Sequence, residues 1–263
     1  MPGAVLVTAA TGLLIDGLIN AGSSGWLSAA ALAPAGSAVV LYGLFGVRER
    51  RAARPLMDIR VLQQRAVATG AFLMLIATGL LIGAFFLGSF YLQHVRGFGA
   101  LATGLAFLPV AAAVVAGAHT AGRLTAAVDR RVLAAPSLTC AALGAGVAAA
   151  WPSPAGLIAG MSVSALGIGA TLVIATTTAL ADVRPEEAGA RSGLVSTFHE
   201  LGSALGVAVL SSVAAAGVAA QPSRAGFTRA FTTSAIAALV AAGIAALVAP
   251  PGHAVPGGTP MAH

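Results

Sequence analysis

Residues 66–91, AVATGAFLMLIATGLLIGAFFLGSFY, carry no charged side chain. A bilayer's hydrocarbon core is about 30 Å thick, and roughly 20 residues of helix cross it. Inside it no water satisfies a backbone N–H or C=O, so a crossing segment is a helix or part of a closed barrel. Apolar runs of about this length recur on either side of 66–91, at 4–22, 28–47, 101–119, 132–150, 155–181, 189–217 and 227–249. The chain therefore reads as an all-α polytopic membrane protein of about eight transmembrane helices.

Composition agrees. Of 263 residues 58% are hydrophobic and 8% charged, against about 25% charged in a soluble domain. The 33 glycines suit helices that approach through small side chains. The net charge of +6 raises the possibility of a nucleic-acid partner. The basic residues are all arginines in loops or at helix margins between apolar runs, so topology explains them and no nucleic acid is expected. The single Cys140 excludes an internal disulfide and a cysteine metal site.

The arginines are unevenly shared. Arg48, Arg50, Arg51, Arg54, Arg60 and Arg65 follow the second run, Arg123, Arg130 and Arg131 the fourth, and Arg184 and Arg191 the sixth. The alternate loops hold only Arg96, Arg224 and Arg229. The positive-inside rule places the richer set in the cytoplasm, and with it both termini, in the cell membrane. Trp26 and Trp151 then fall at outer helix ends, where indole rings favour the interface. No basic residue precedes the first run, so it reads as a membrane helix rather than a secretory signal. Four regions are expected: a two-helix leader (1–47), a basic cytoplasmic loop (48–65), a six-helix bundle (66–249) and a proline- and glycine-rich disordered tail (250–263). Pro55 to Ile59 suggests a short amphipathic piece along the membrane surface.

Ionisable residues inside a membrane cost about 2.5–3.5 kcal/mol each on insertion scales, which makes them functional candidates. Glu200 lies about eleven residues into its run, roughly 16 Å along a helix, near mid-bilayer. Low dielectric favours a neutral carboxyl over a charged one. A group that takes up and releases a proton as water access changes is what a proton-coupled carrier needs. The bland alternative is a protonated Glu200 bonded to a neighbouring helix. His199 adjoins it, but a zinc protease motif would need a second histidine one turn on, where Ser203 stands. No metal site is expected. Asp16, with Asn20 one turn later, either lines a polar path or reaches headgroup water. His119 and Arg123 mark the inner end of the fourth run. Asp129, Arg130 and Arg131 read either as inter-helix ion pairs at a cytoplasmic gate or as a solvated loop. Gly189 with Gly193, and Gly202 with Gly206, form two small-x-x-x-small faces for helix packing. Pro109 removes a backbone donor and bends the fourth helix. The hydroxyls of Thr176, Thr177 and Thr178 either face a cavity or bond back to their own helix. No phosphate-cradling loop or catalytic triad is visible, and neither enzyme activity nor a cofactor is expected.

Two longer segments resemble something specific. Phe90-Tyr91-Leu92-Gln93-His94-Val95-Arg96-Gly97, followed by Ala102-Thr103-Gly104-Leu105-Ala106-Phe107-Leu108-Pro109, is similar to a signature of the fourteen-helix drug:proton antiporters of the major facilitator superfamily. So is Gly189-Ala190-Arg191-Ser192-Gly193-Leu194, continuing through Thr197-Phe198-His199-Glu200-Leu201-Gly202 to Gly206-Val207-Ala208-Val209. Gly122-Arg123, Gly25-Trp26 and Arg54-Pro55-Leu56 fit in order. The resemblance implies the C-terminal part of such a carrier, with the leader as its central extra pair and 66–249 as its second bundle. The N-terminal bundle is absent from this sequence, and many relatives have Arg-Gln where His199-Glu200 stands. The expected function is proton-coupled efflux of amphipathic, drug-like compounds, with a partner bundle supplied by a separate N-terminal chain or a second copy. The alternative is a transport-inactive membrane module that assembles with or modulates a relative.

Overall fold

The computed structural model describes residues 2–52, 59–151, 153–181, 183–215 and 224–249. Within them the chain is helical: α1 (Pro2–Ser24), α2 (Ala29–Arg51), α3 (Ile59–Gln63), α4 (Arg65–Phe90), α5 (Ala100–Ala106), α6 (Leu108–Leu124), α7 (Arg130–Ala150), α8 (Pro154–Ala179), α9 (Pro185–Ala215) and α10 (Arg224–Val248). Eight stretches are long and apolar enough to cross a membrane, α5 and α6 together making one of them. The tail from Pro250, the segment Pro55–Asp58 with its Arg54-Pro55-Leu56 match, and the end of the 189–217 run lie outside the described residues.

Helix ends explain themselves locally. The α1–α2 turn pivots on Gly25 at φ 92°, a left-handed conformation that glycine adopts without penalty. Ser28 then caps α2 by accepting the Ala31 N–H at 3.2 Å. Ser153 caps α8 in the same way through Gly156, with Pro154 in the first turn, where a missing N–H costs nothing. α2 continues past the apolar run to Arg51, so Arg48, Arg50 and Arg51 occupy its last turn, where cations suit the helix dipole. α4 runs on through a π-helical turn, Tyr91–Val95, before Gly97 turns the chain at φ 71°. The fourth crossing breaks at Phe107, whose N–H reaches back to Thr103 and Gly104. Pro109 stands in the first turn of α6, where it offers no backbone donor.

α4 and α8 form the centre: 61% and 56% of their membrane-crossing stretches are buried, against 17% and 11% for α1 and α2. α4 packs against α8, α9 and α10, while α8 packs against α4, α6 and α7, and α10 closes onto α7 and α9. Small residues set these distances. A side-chain carbon added at Gly79 would meet the Gly202 carbonyl oxygen at 3.0 Å, and one at Gly83 would meet Gly206 oxygen at 3.0 Å. Large side chains fill what remains, with Leu73, Leu92, Leu138, Ile168 and Ile174 fully buried. At one end Tyr91 sits edge-on to Phe227, ring centres 5.1 Å apart. α1 and α2 are peripheral: α2 packs chiefly on α1, and α1 leans on α9. There Gly22 meets Ser212, and the Ser212 hydroxyl lies against the Leu18 carbonyl.

Candidate functional site

α9 has two different faces. One packs on α4 through Gly202 and Gly206. The other, in the first half of the helix, presents Gly189, Ser192, Gly193, Ser196, Thr197 and Glu200, all exposed. Their spacing of three and four residues puts them on one stripe. Nothing lies within 4 Å of where a side chain at Gly189 or Gly193 would stand. The Thr197 hydroxyl bonds back to Gly193 O at 2.8 Å, as Thr176 and Thr177 do to their own helix. The Glu200 carboxylate has no such local sink. It is 82% exposed, midway along α9, with His199 Nδ1 3.5 Å from Oε1. A stripe of small and polar groups ending in a carboxylate is a poor surface for lipid tails.

The remaining candidates separate into two groups. Asp16 is exposed and Asn20 half-buried on α1, and no hydrogen bond or ion pair among the described residues joins Asp16 to Glu200. His119 and Arg123 are exposed near the end of α6. Asp129 caps α7, its carboxylate accepting the Arg131 N–H at 2.9 Å. Arg130 reaches the end of α8, donating to Thr177 O at 2.7 Å. Arg131 reaches the end of α10, where Nε and Nη2 are 3.3 and 3.2 Å from Ala246 O. Both guanidinium groups thus sit on carbonyl-rich helix C-termini, where a cation is favoured.

Arg191 is a residue whose role the sequence did not disclose. It is 5% exposed and donates to Ala181 O at 2.9 Å, to Gln64 Oε1 at 2.8 Å and to Glu187 Oε2 at 2.9 Å. Its Nε is buried without a partner. One side chain thereby joins the start of α9, the loop after α8 and the residue before α4. Glu187 also accepts from Arg184 Nε at 2.9 Å; this hydrogen bond, then the carboxylate's charge, raises the Arg184 guanidinium above its ordinary value. The one legible sign was the four-residue spacing of Glu187 and Arg191. These contacts gather the starts of α4, α7 and α9 and the ends of α8 and α10 at one arginine-rich end.

Residues 2–207 match the Major Facilitator Superfamily. The chain belongs to that superfamily. Its members are transporters rather than enzymes. Among curated superfamily relatives, the cephamycin export protein CmcT of Amycolatopsis lactamdurans is 34% identical over 228 residues, covering 84% of this chain and 47% of that protein. The multidrug resistance protein Stp of Mycobacterium tuberculosis is 31% identical over 222 residues, covering 84% and 41%. The tetracenomycin C resistance and export protein of Streptomyces glaucescens is 31% identical over 216 residues, covering 79% and 39%. The chain spans less than half the length of these superfamily relatives.

Proposed function

We propose that this chain supplies one bundle of a proton-coupled exporter of amphipathic, drug-like compounds in the cell membrane, with both termini and the arginine-rich end in the cytoplasm. The observation that carries the reading is Glu200, 82% exposed at the middle of a membrane helix, on a stripe unsuited to lipid. A carboxyl placed so is supported by a water-filled path or by a second bundle, and carriers of this kind place their sites near the midplane between two bundles. In the proposal Glu200 exchanges protons with that path, His199 stands beside it, and Asp16 and Asn20 extend the polar lining. Arg123, Asp129, Arg130 and Arg131 form the cytoplasmic rim. The relatives' names, covering a cephamycin, tetracenomycin C and several drugs together, support a broad amphipathic substrate class. A second bundle facing this stripe, in the same protein, in a separate N-terminal chain or in a second copy, completes the proposal.

The test is uncoupler-sensitive transport of a fluorescent amphipathic cation into inverted vesicles. The chain is assayed alone, with a co-expressed N-terminal bundle of a relative, and as Glu200→Gln. The expected result is transport with the partner, falling roughly tenfold or more in the variant, a change equivalent to about 1.4 kcal/mol. Undiminished transport by Glu200→Gln removes that residue from the path. Verified insertion without transport under either arrangement favours the other reading, a transport-inactive assembly module.

A further inference from the structure

We infer that the arginine-bearing end of the leader hairpin is a binding site for an anionic glycerophospholipid. Its phosphate would sit on Arg48 and Arg51, and its upper acyl segments against Leu6, Leu44 and Val47. These five residues line a groove of about 450 Å³ between α1 and α2. Leu44, Val47, Arg48 and Arg51 are spaced three and four apart, so they share one face of α2, and Leu6 of α1 closes the other wall. Leu44 and Val47 are 52% and 51% exposed, because α2 packs chiefly on α1 and leaves this face bare.

The groove is graded along its length. Seven residues separate Leu44 from Arg51, about 10 Å of helix, so an apolar floor in the acyl region leads to two cations at headgroup depth. Among the described residues neither guanidinium has a carboxylate partner, and no acid lines the groove. Two guanidinium groups over an apolar slot complement a phosphate above acyl chains. They favour a headgroup of net negative charge, because a zwitterionic one brings its own cation to the site. Arginines beside a membrane helix attract anionic lipid by this electrostatic route, and the slot adds a position for one molecule. The inference stands independently of the transport reading and of the proposed orientation.

The test is native mass spectrometry of the full chain released from detergent with phosphatidylglycerol or phosphatidylcholine of identical acyl chains. Phosphatidylglycerol adducts are expected in excess, weakening roughly fivefold for each arginine removed in Arg48→Ala and Arg51→Ala. The charge-keeping Arg48→Lys/Arg51→Lys pair is expected to retain them, and it separates loss of a site from loss of fold. Arg50→Ala, on the same turn but outside the groove, is expected to change binding by less than about twofold. Equal binding of the two lipids, or equal loss in Arg50→Ala, overturns the site in favour of diffuse charge. Loss of a dimer rather than of lipid in Arg48→Ala/Arg51→Ala overturns it in favour of a self-association face.

Discussion

The Arg191 guanidinium donates to Gln64 Oε1 at 2.8 Å across 127 positions of sequence, fastening the start of α9 to the residue that precedes α4. The same guanidinium holds Glu187 at 2.9 Å, so its removal leaves that carboxylate with Arg184 as its arginine partner and takes the donor from two carbonyl oxygens. Arg191→Ala is expected to lower stability by about 1.5–3 kcal/mol, the usual range for hydrogen bonds to a charged group. Arg191→Lys keeps the charge but loses the fork that serves three acceptors and should fall between. Thermal unfolding in detergent, followed by fluorescence or light scattering, checks the order native, lysine, alanine.

The two glycine pairs of α9 should respond oppositely. Gly206→Val drives a branched side chain into the backbone of Gly79, and overpacking costs about 1–3 kcal/mol or more. Size-exclusion chromatography is expected to show aggregation or poor yield. Gly193→Ala enters open space in a helix and should be neutral or mildly stabilising, within about 1 kcal/mol. If that face receives a second bundle, Gly193→Val leaves the isolated chain monodisperse while reducing transport in the co-expressed assembly.

Arg130 and Arg131 each cover the end of a helix other than their own. Arg130→Gln removes a cation from the Thr177 carbonyl and should cost about 0.3–1 kcal/mol, more at low salt than at high. Unfolding midpoints at two ionic strengths test this. An effect insensitive to salt would assign the stabilisation to side-chain packing instead.

α1 meets α9 closely where Gly22 stands against Ser212. Gly22→Leu is expected to detach α1 while α4 to α10 stay folded. Replacing Cys140 with alanine and placing cysteines at 18 and 212 gives a crosslink in the native background. Gly22→Leu should abolish that crosslink without changing helix content by circular dichroism.

Much of the architecture was legible in residues 66–91 and their counterparts, because hydrocarbon imposes a length and a polarity that a single sequence displays. The end of α2 was less so. The apolar run stops at Val47, yet the backbone continues to Arg51, since a helix can leave the membrane without leaving its own hydrogen bonds. The π-turn at Tyr91–Val95 leaves no trace in side-chain periodicity. Glu200 was legible as an intramembrane acid, but not the face it occupies, which is decided by where α4 lies. Arg191 illustrates the same limit. Counted among loop arginines, it is buried only because Gln64 and Ala181 come to it from other segments.

At the α4–α9 seam, Gly79 and Gly83 face Gly202 and Gly206, backbone against backbone. For an evolving sequence this is a place without second chances. When a core residue grows elsewhere, a neighbour can shrink to accommodate it. Here the neighbour is already glycine and has nothing left to give up. Drift on either helix would have to move a whole helix, and with it the pins at Arg191 and Ser212, before it could be tolerated.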